Sequence, residues 1–402
     1  DHWLVGACEV LLERALAAGA VKAEDDSYWV RVAYLVALPV ALGMAGFVAE
    51  VARSRGERRV FFLARDGLIF QRVYEAVFRR DEEPPSGYLY ASRRCLNVAN
   101  ITALDDQALD FLCSDTVLLS PNDYLRRIDI DVSDPVVARE VRSHFVNPDD
   151  AIEPAQKPAL RAMFQALEPV IVAGAATERE ALLQHLDANG FFGGRPLVVD
   201  LGWHGSLQRS LIRLGRIATG APIDVDGAYL GTMPATPEAV DGRPVDMRGW
   251  LFERGMPADV MEATVRASVE VVELLFSAPT AGIRCVQIDG PDVRPVELHD
   301  EREEPRLAVA RIIHQEVERG ARLLAPLIRV TSPAALKQVA IERLTTFQYY
   351  PDRDDIRHFR RIVHAEGFGK AEYRPIISTP KGAWSRHELV QSYYASFWRT
   401  GF

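Results

Sequence analysis

Cysteine is scarce and scattered in this chain. Cys8, Cys95, Cys113 and Cys285 are the only four in 402 residues, and no two share a CxxC spacing. That excludes a disulfide framework and a thiolate zinc site, and makes a reducing cytoplasm the expected setting. Positive charge is not in surplus either. With 47 lysines and arginines against 56 aspartates and glutamates, net −9, no nucleic-acid partner is expected, because neutralising a run of phosphates takes excess basic surface. Basic groups must therefore act locally. Repeats, low-complexity tracts, a Walker loop, a nucleophile elbow and an HExxH pair are also missing, which removes P-loop, serine-hydrolase and zincin chemistry. Only one long apolar run exists, Val32 to Ala49. Pro39, Gly43 and Gly46 interrupt it while Glu50 and Arg53 continue its helical pattern, so it reads as a buried helix rather than a membrane span. The chain opens at Asp1 without a charged-then-apolar leader, and reads as a piece of a longer protein.

What is present is a 48% hydrophobic composition, enough to bury a large core. Residues 1–55 have helical periodicity. The segment 56–290 alternates short apolar strands with helices, the pattern of an α/β fold with a mostly parallel, Rossmann-like sheet, and carries a mostly helical insertion over about 105–188. Residues 291–402 read as helices at 304–325, 333–348, 351–366 and 386–398 with little strand character. This tail is rich in aromatics (Tyr349, Tyr350, Trp384, Tyr393, Tyr394, Phe397, Trp398), which suit helix packing or an acceptor platform.

Three polar clusters sit where strands end, the place where ligands bind in open α/β sheets. The first follows Leu197-Val198-Val199: Asp200, then Gly202, Trp203, His204, Gly205 and Ser206 before a helix begins. Glycines let backbone approach an anion, and the N–H groups of a helix start attract one. The second is Arg65-Asp66-Gly67 after the strand Arg59–Leu63, where arginine suits phosphate oxygens and aspartate suits Mg²⁺. Third come Ser92, Arg93 and Arg94, of which one arginine is expected in the crevice and the other in solvent. Glu273 lies inside the apolar stretch VVELLFSAP, so it needs either a partner or a task, such as accepting a proton from an attacking hydroxyl. Glu262 is a weaker instance. The string Asp129-Ile130-Asp131-Val132-Ser133 has a superficial likeness to an aspartyl-phosphatase nucleophile motif, but no buried strand precedes it.

Taken together, FFLARDGLIFQRVYE (61–75), YASRR (90–94), VVDLGWHGSLQ (198–208), GAYLGT (227–232) and VELLFSAP (272–279) resemble the glycan phosphoribosyltransferase domain of the bacterial dual-domain ribofuranosyltransferases of surface-polysaccharide assembly. The resemblance implies a divergent phosphoribosyltransferase-like sheet with helical additions at both ends. It implies transfer of 5-phosphoribosyl from phosphoribosyl diphosphate, with Mg²⁺, to a lipid-linked glycan of an O-antigen or capsule. A haloacid-dehalogenase-type phosphatase domain, in the same longer chain or separate, would then remove the 5-phosphate. The setting implied is cytoplasmic, at the inner face of the membrane. On these residues, Asp200 to Ser206 would hold ribose and 5-phosphate. Arg65, Asp66, Gly67, Arg93 and Arg94 would hold the diphosphate, and Asp66 and Asp200 the metal. Asp200, Asp66, Glu273 and His204 would be catalytic. The family's loop carries two adjacent acids, and Leu201 follows Asp200 here. An S-adenosylmethionine-dependent methyltransferase and a non-catalytic scaffold of a polysaccharide assembly complex stay open as alternatives.

Overall fold

The computed structural model describes residues 2–18, 24–54, 56, 59–83, 85–114, 118–256, 260–366, 372–380, 382 and 385–402. Helix α1 (His2–Ala17) buries Leu4, Cys8, Leu11 and Ala15, one stripe at helical spacing. Helix α2 (Glu24–Val32) continues through a π turn (Ala33–Ala37) into α3 (Leu38–Ser54). Pro39 lacks an N–H to return to the preceding turn, which suits it to a helix that has just changed its hydrogen-bond register. The rod Asp25–Ser54 is long and apolar enough to cross a membrane, yet 89% of its apolar window lies buried inside the fold. Much of it is covered by the C-terminal helices.

Strand β1 (Val60–Leu63) is wholly buried. Its run of valine, phenylalanines and leucine reflects a strand covered on both faces. After α4 (Gly67–Val73), β2 (Gly87–Leu89) pairs parallel with β1, and Ser92 caps α5 (Arg93–Ala99) by accepting the Cys95 N–H at 3.1 Å. Then come α6 (Asp106–Leu112), α7 (Pro121–Arg126), α8 (Pro135–His144), α9 (Lys157–Ala166) and α10 (Glu168–Ala188). This is the helical insertion. It has its own apolar core, running from Val98 to Ala175 and including Leu112, Tyr124, Leu125, Leu160 and Phe164, whereas Ala181, Leu182 and Leu186 of α10 already belong to the sheet's core. The insertion is thus shifted towards the N-terminus of the expected 105–188 range, because the last turns of α10 are needed to cover a sheet face.

The sheet resumes with β3 (Leu197–Trp203), α11 (Ser206–Thr219) and β4 (Asp226–Thr232). A two-residue hairpin, β5 (Ala239–Val240) and β6 (Arg243–Pro244), precedes β7 (Met247–Phe252). The five-stranded sheet is parallel throughout, in the order β2-β1-β3-β4-β7. Val60 pairs with Leu197, and Asp200 with Tyr229. Alternate side chains fill two cores, Phe61, Leu63 and Val198 on one face and Phe62, Val199 and Leu201 on the other. Full burial of each such side chain is worth roughly 1.5–3 kcal/mol.

The apolar pattern of about Val260–Phe276 predicts one helix, but Ser268 breaks it into α12 (Val260–Ala267) and α13 (Val269–Phe276). The apolar run Ile283–Gln287 predicts a further strand, which exists within β8 (Gly282–Asp289), but it forms an antiparallel hairpin with β9 (Asp292–Leu298) that packs on α10 and α5 outside the main sheet. The tail holds α14 (Glu304–Ile328), α15 (Pro333–Tyr349), α16 (Arg353–Phe359), the hairpin β10 (Val363–Glu366) and β11 (Glu372–Pro375), and α17 (Arg386–Ala395). The two hairpins correct the expectation of an almost strand-free tail. Of the tail aromatics, Trp398 is fully buried against Phe347 and Phe359, Tyr350 and Tyr394 are exposed, and Trp384 lies outside the described residues.

Candidate functional site

Chain direction across the sheet reverses between β1 and β3, and at such a switch point the loops leaving the two strands diverge and open a crevice. The loop after β1 carries Arg65 and Asp66. The end of β3 and its turn into α11 carry Asp200 and Gly202 to Ser206. The peptide bonds Ala64–Arg65 and Gly202–Trp203 are both cis. From outside the sheet, α13 adds Glu273 and the turn after it Ser277, and the start of α14 adds Arg306 beside Glu303.

Three carboxyls face one another here. Burial pushes Asp200 well above the usual carboxylate range, and the neighbouring Asp66 and Glu273 charges push it further, against the Leu201 N–H that it accepts at 2.9 Å and against Arg93. Asp66 is raised by burial, opposed by Arg65, Arg306 and the Ser277 hydroxyl. Glu273 is raised to about 7 by burial and by Asp66, while the Trp203 indole, donating at 3.2 Å, pulls the other way. Trp203 itself lies parallel to Phe252 at 6.2 Å, and its carbonyl oxygen accepts from Met233 N–H (2.8 Å) and Thr236 Oγ1 (2.9 Å). The indole is thus held from both ends. Repulsion among the acids is relieved only when a cation or a proton joins them.

Positive groups stand around the acids. Arg65 lies 3.7 Å from Glu303. Arg306 is buried and donates to Ser277 Oγ (3.1 Å), Thr280 O (3.0 Å) and Glu303 (2.8 Å). Arg93 is exposed, and makes no ion pair among the described residues, yet it acts on both Asp200 and His204. His204 is exposed, and its pKa is lowered by partial burial and by Arg93 and Arg209, so its imidazole is neutral at pH 7. The Nε of Arg209, one turn into α11, is buried without a hydrogen-bond partner among the described residues.

No protein-family model matches the chain, and no curated protein does. The chemistry open to the site therefore rests on its own groups.

The structure brings together Asp66, Asp200, Glu273, Arg65, Trp203, His204 and Arg93. It parts Arg94 from them. Instead of reaching solvent or the crevice, the Arg94 guanidinium is buried against Glu178 and Asp129 (3.2 Å) and donates to the carbonyls of Arg127 (3.0 Å) and Arg284 (3.2 Å). Successive helical residues point about 100° apart, so two adjacent arginines cannot share one target. Asp129, far from being a nucleophile, is bound to Arg94 and to Arg284 at 3.0 Å. Ser92 is occupied as the α5 cap. Glu262 is buried and bonded to Arg266 at 3.2 Å, one helical turn away.

The glycines answer to packing before any ligand. Gly202 has φ +128°, and a Cβ there would collide with the Gly231 carbonyl oxygen. Gly205 has φ +62°, and its Cβ would strike the Met247 sulfur. Gly67 brings α4 onto β1, with a Cβ position 3.0 Å from Phe62. Gly205 caps α11 without a side-chain bond to the first N–H groups, where Ser206 is half-buried. Gln208 pins this helix by donating to Val225 O (2.8 Å) and Asp246 O (3.0 Å) and accepting from the Tyr229 hydroxyl at 2.5 Å.

Sequence reasoning missed Arg209, Arg306 and Ser277. Arg209 was traceable as the first cation after the Gly205 turn; Arg306 gives no local sign, since it arrives from a helix a hundred residues downstream. Among the described residues no group of three or more metal-ligating side chains is preassembled. Asp66 and Asp200 are nevertheless hard oxygen donors, and the Asp66 charge helps to raise Asp200. That donor set fits Mg²⁺, which completes its shell with water and phosphate oxygens rather than with a protein cage.

Proposed function

We propose that the chain is a Mg²⁺-dependent glycan phosphoribosyltransferase, drawing 5-phosphoribosyl from phosphoribosyl diphosphate. The observation that carries this reading is the meeting, at the sheet's switch point, of three mutually repelling carboxyls with arginines at their rim. A neutral ligand would leave both charges uncompensated. A diphosphate ester of a sugar answers each: its phosphates face arginine, its hydroxyls donate to carboxylate, and Mg²⁺, when bound at Asp66 and Asp200, offsets leaving-group charge.

In the proposed reaction the bond from ribose C1 to the diphosphate oxygen breaks, a bond from C1 to an acceptor oxygen forms, and diphosphate leaves. Arg65 and Arg93 bind the departing phosphates. Asp200 accepts from the ribose hydroxyls and stabilises the positive charge that develops on the ring. Glu273, with a pKa near 7 and its orientation fixed by Trp203, takes the proton of the attacking hydroxyl. Neutral His204, with the start of α11, faces the 5-phosphate. The acceptor is a lipid-linked glycan, and a haloacid-dehalogenase-type phosphatase removes the 5-phosphate afterwards.

A thermal-shift screen of phosphoribosyl diphosphate, nucleotide sugars and S-adenosylmethionine, each with and without Mg²⁺, tests the donor. Stabilisation by phosphoribosyl diphosphate only with Mg²⁺, lost in Asp200→Ala, is the expected result. Stabilisation by S-adenosylmethionine instead would identify a methyltransferase, and indifference to every ligand would leave a scaffold.

A further inference from the structure

A second basic feature lies on the far side of the Ser277 turn. Helix α14 starts at the crevice with Arg306 and runs outward. Beyond Arg306 it presents Arg311, Arg319 and Arg322 to a groove of about 510 Å³, and Arg72 of α4 faces the same groove from its other wall. Among the described residues Glu318 is the only carboxylate in the lining, which His314, Gln315 and Pro279 complete. Four arginines against one glutamate is an unusual concentration in a chain of net charge −9. At 1.5 Å per residue the arginines of α14 extend over about 16 Å.

The existing pairs do not consume this charge. Glu318 is shared between Arg322 (2.7 Å) and Arg72 (3.5 Å), Arg311 reaches out of the groove to Glu304 (2.9 Å), and Arg319 is 3.9 Å from Glu316. The arginine side chains in these pairs are all at least 40% exposed, and exposed single ion pairs hold weakly. The floor adds no positive charge, because burial and Arg72 lower His314 to about 4 and keep the ring neutral. Its Nε2 donates to the Ser277 carbonyl at 3.1 Å, which ties the groove floor to the residue whose hydroxyl meets Asp66.

We infer that this groove binds a phosphate-bearing anion, a ligand distinct from the one held at Asp66 and Asp200. Guanidinium forks match phosphate oxygens in pairs, and arginines a helical turn apart can hold two linked phosphates. Free diphosphate and a phospholipid headgroup share that chemistry.

The test is calorimetric titration of inorganic diphosphate into the full chain in the presence of EDTA, which silences cation-dependent binding in the crevice. Flotation with phosphatidylglycerol vesicles, against phosphatidylcholine vesicles, forms the second arm. Arg319→Glu/Arg322→Glu should weaken diphosphate or anionic-vesicle binding by about 10-fold or more, whereas Arg65→Ala leaves it at the wild-type level. Loss in the first arm identifies a soluble phosphate compound, and loss in the second alone identifies a lipid headgroup. Wild-type binding of both by the charge-reversed chain overturns the inference, as does a wild-type chain that binds neither. Arg72→Gln/Arg311→Gln repeats the test should the reversed pair lower the melting temperature. Failure of Mg²⁺-dependent donor binding would leave this result untouched.

Discussion

Two clusters of arginine and carboxylate meet the two ends of one dipeptide, and they treat charge in opposite ways. Around Arg94, the guanidinium, Glu178, Asp129 and Arg284 neutralise one another within hydrogen-bond distance, and backbone carbonyls take the remaining donors. Around Arg93, burial raises Asp66, Asp200 and Glu273, the Asp66 charge raises the other two further, and no carboxyl of the three is paired within salt-bridge distance of an arginine among the described residues. The first arrangement is a joint, fastening the insertion to the sheet. The second is where a ligand can supply the neutralisation. Residue type therefore says little about role; what separates the two is whether the charges cancel inside the protein.

The contrast can be broken most forcefully at the joint. Arg94→Ala leaves Glu178 and Asp129 without their shared cation, and should lower unfolding stability by about 3–5 kcal/mol, read from denaturant titration, while the folded fraction keeps its ligand affinity. The crevice should behave the other way. Asp200→Asn keeps the shape and removes one of three repelling charges, so transfer should fall about 100- to 1000-fold while the melting temperature rises by about 2–4 °C. A melting temperature that falls instead would put Asp200 among the structural acids.

Glu273 supplies a pH signature. Its folded pKa of about 7 lies above its ordinary value, so between roughly pH 4.5 and 7 the folded chain holds a proton that the unfolded chain has released. Stability should decline as pH rises through that window and level off above it, and Glu273→Gln should flatten the decline in a series of melting curves. If Glu273 is the base, kcat rises through the same window as it deprotonates. The smallest effect is expected from Trp203→Phe. Loss of the indole N–H removes the bond that favours charged Glu273, costing about 1 kcal/mol and moving the inflection of the pH–rate profile upward.

The central sheet was legible because buried parallel strands are unbroken apolar runs, as in Val60–Leu63 and Leu197–Val199, and the strand-end rule then located the crevice. Asp66 and Asp200 were marked by their strand ends and Glu273 by its apolar surroundings, and the fold sets the three carboxyls against one another. Arg94 misled because its partner Glu178 sits on another helix, and nothing local marks a buried ion pair. The glycines misled in another sense: their φ angles and tight neighbours, Gly231 and Met247, are set by strand packing that no motif spells out. Strand β8 was legible at Ile283–Gln287, but its partner β9 and the hairpin β10–β11 escaped because their half-exposed, charge-bearing strands carry little apolar alternation.

The clasp between Arg94 and Glu178 also bears on how the chain reaches this shape. Strand β1 must find β3 with Val60 beside Leu197, a long search if the intervening segment is loose. The insertion between them has its own apolar core and can collapse on local contacts, and the clasp then draws α5 and α10 together at its two ends. Loop closure grows costlier with the length of free chain, so an insertion that folds first turns a distant pairing into a near one. An excursion that folds before the sheet would shorten the route between the two central strands it separates in sequence.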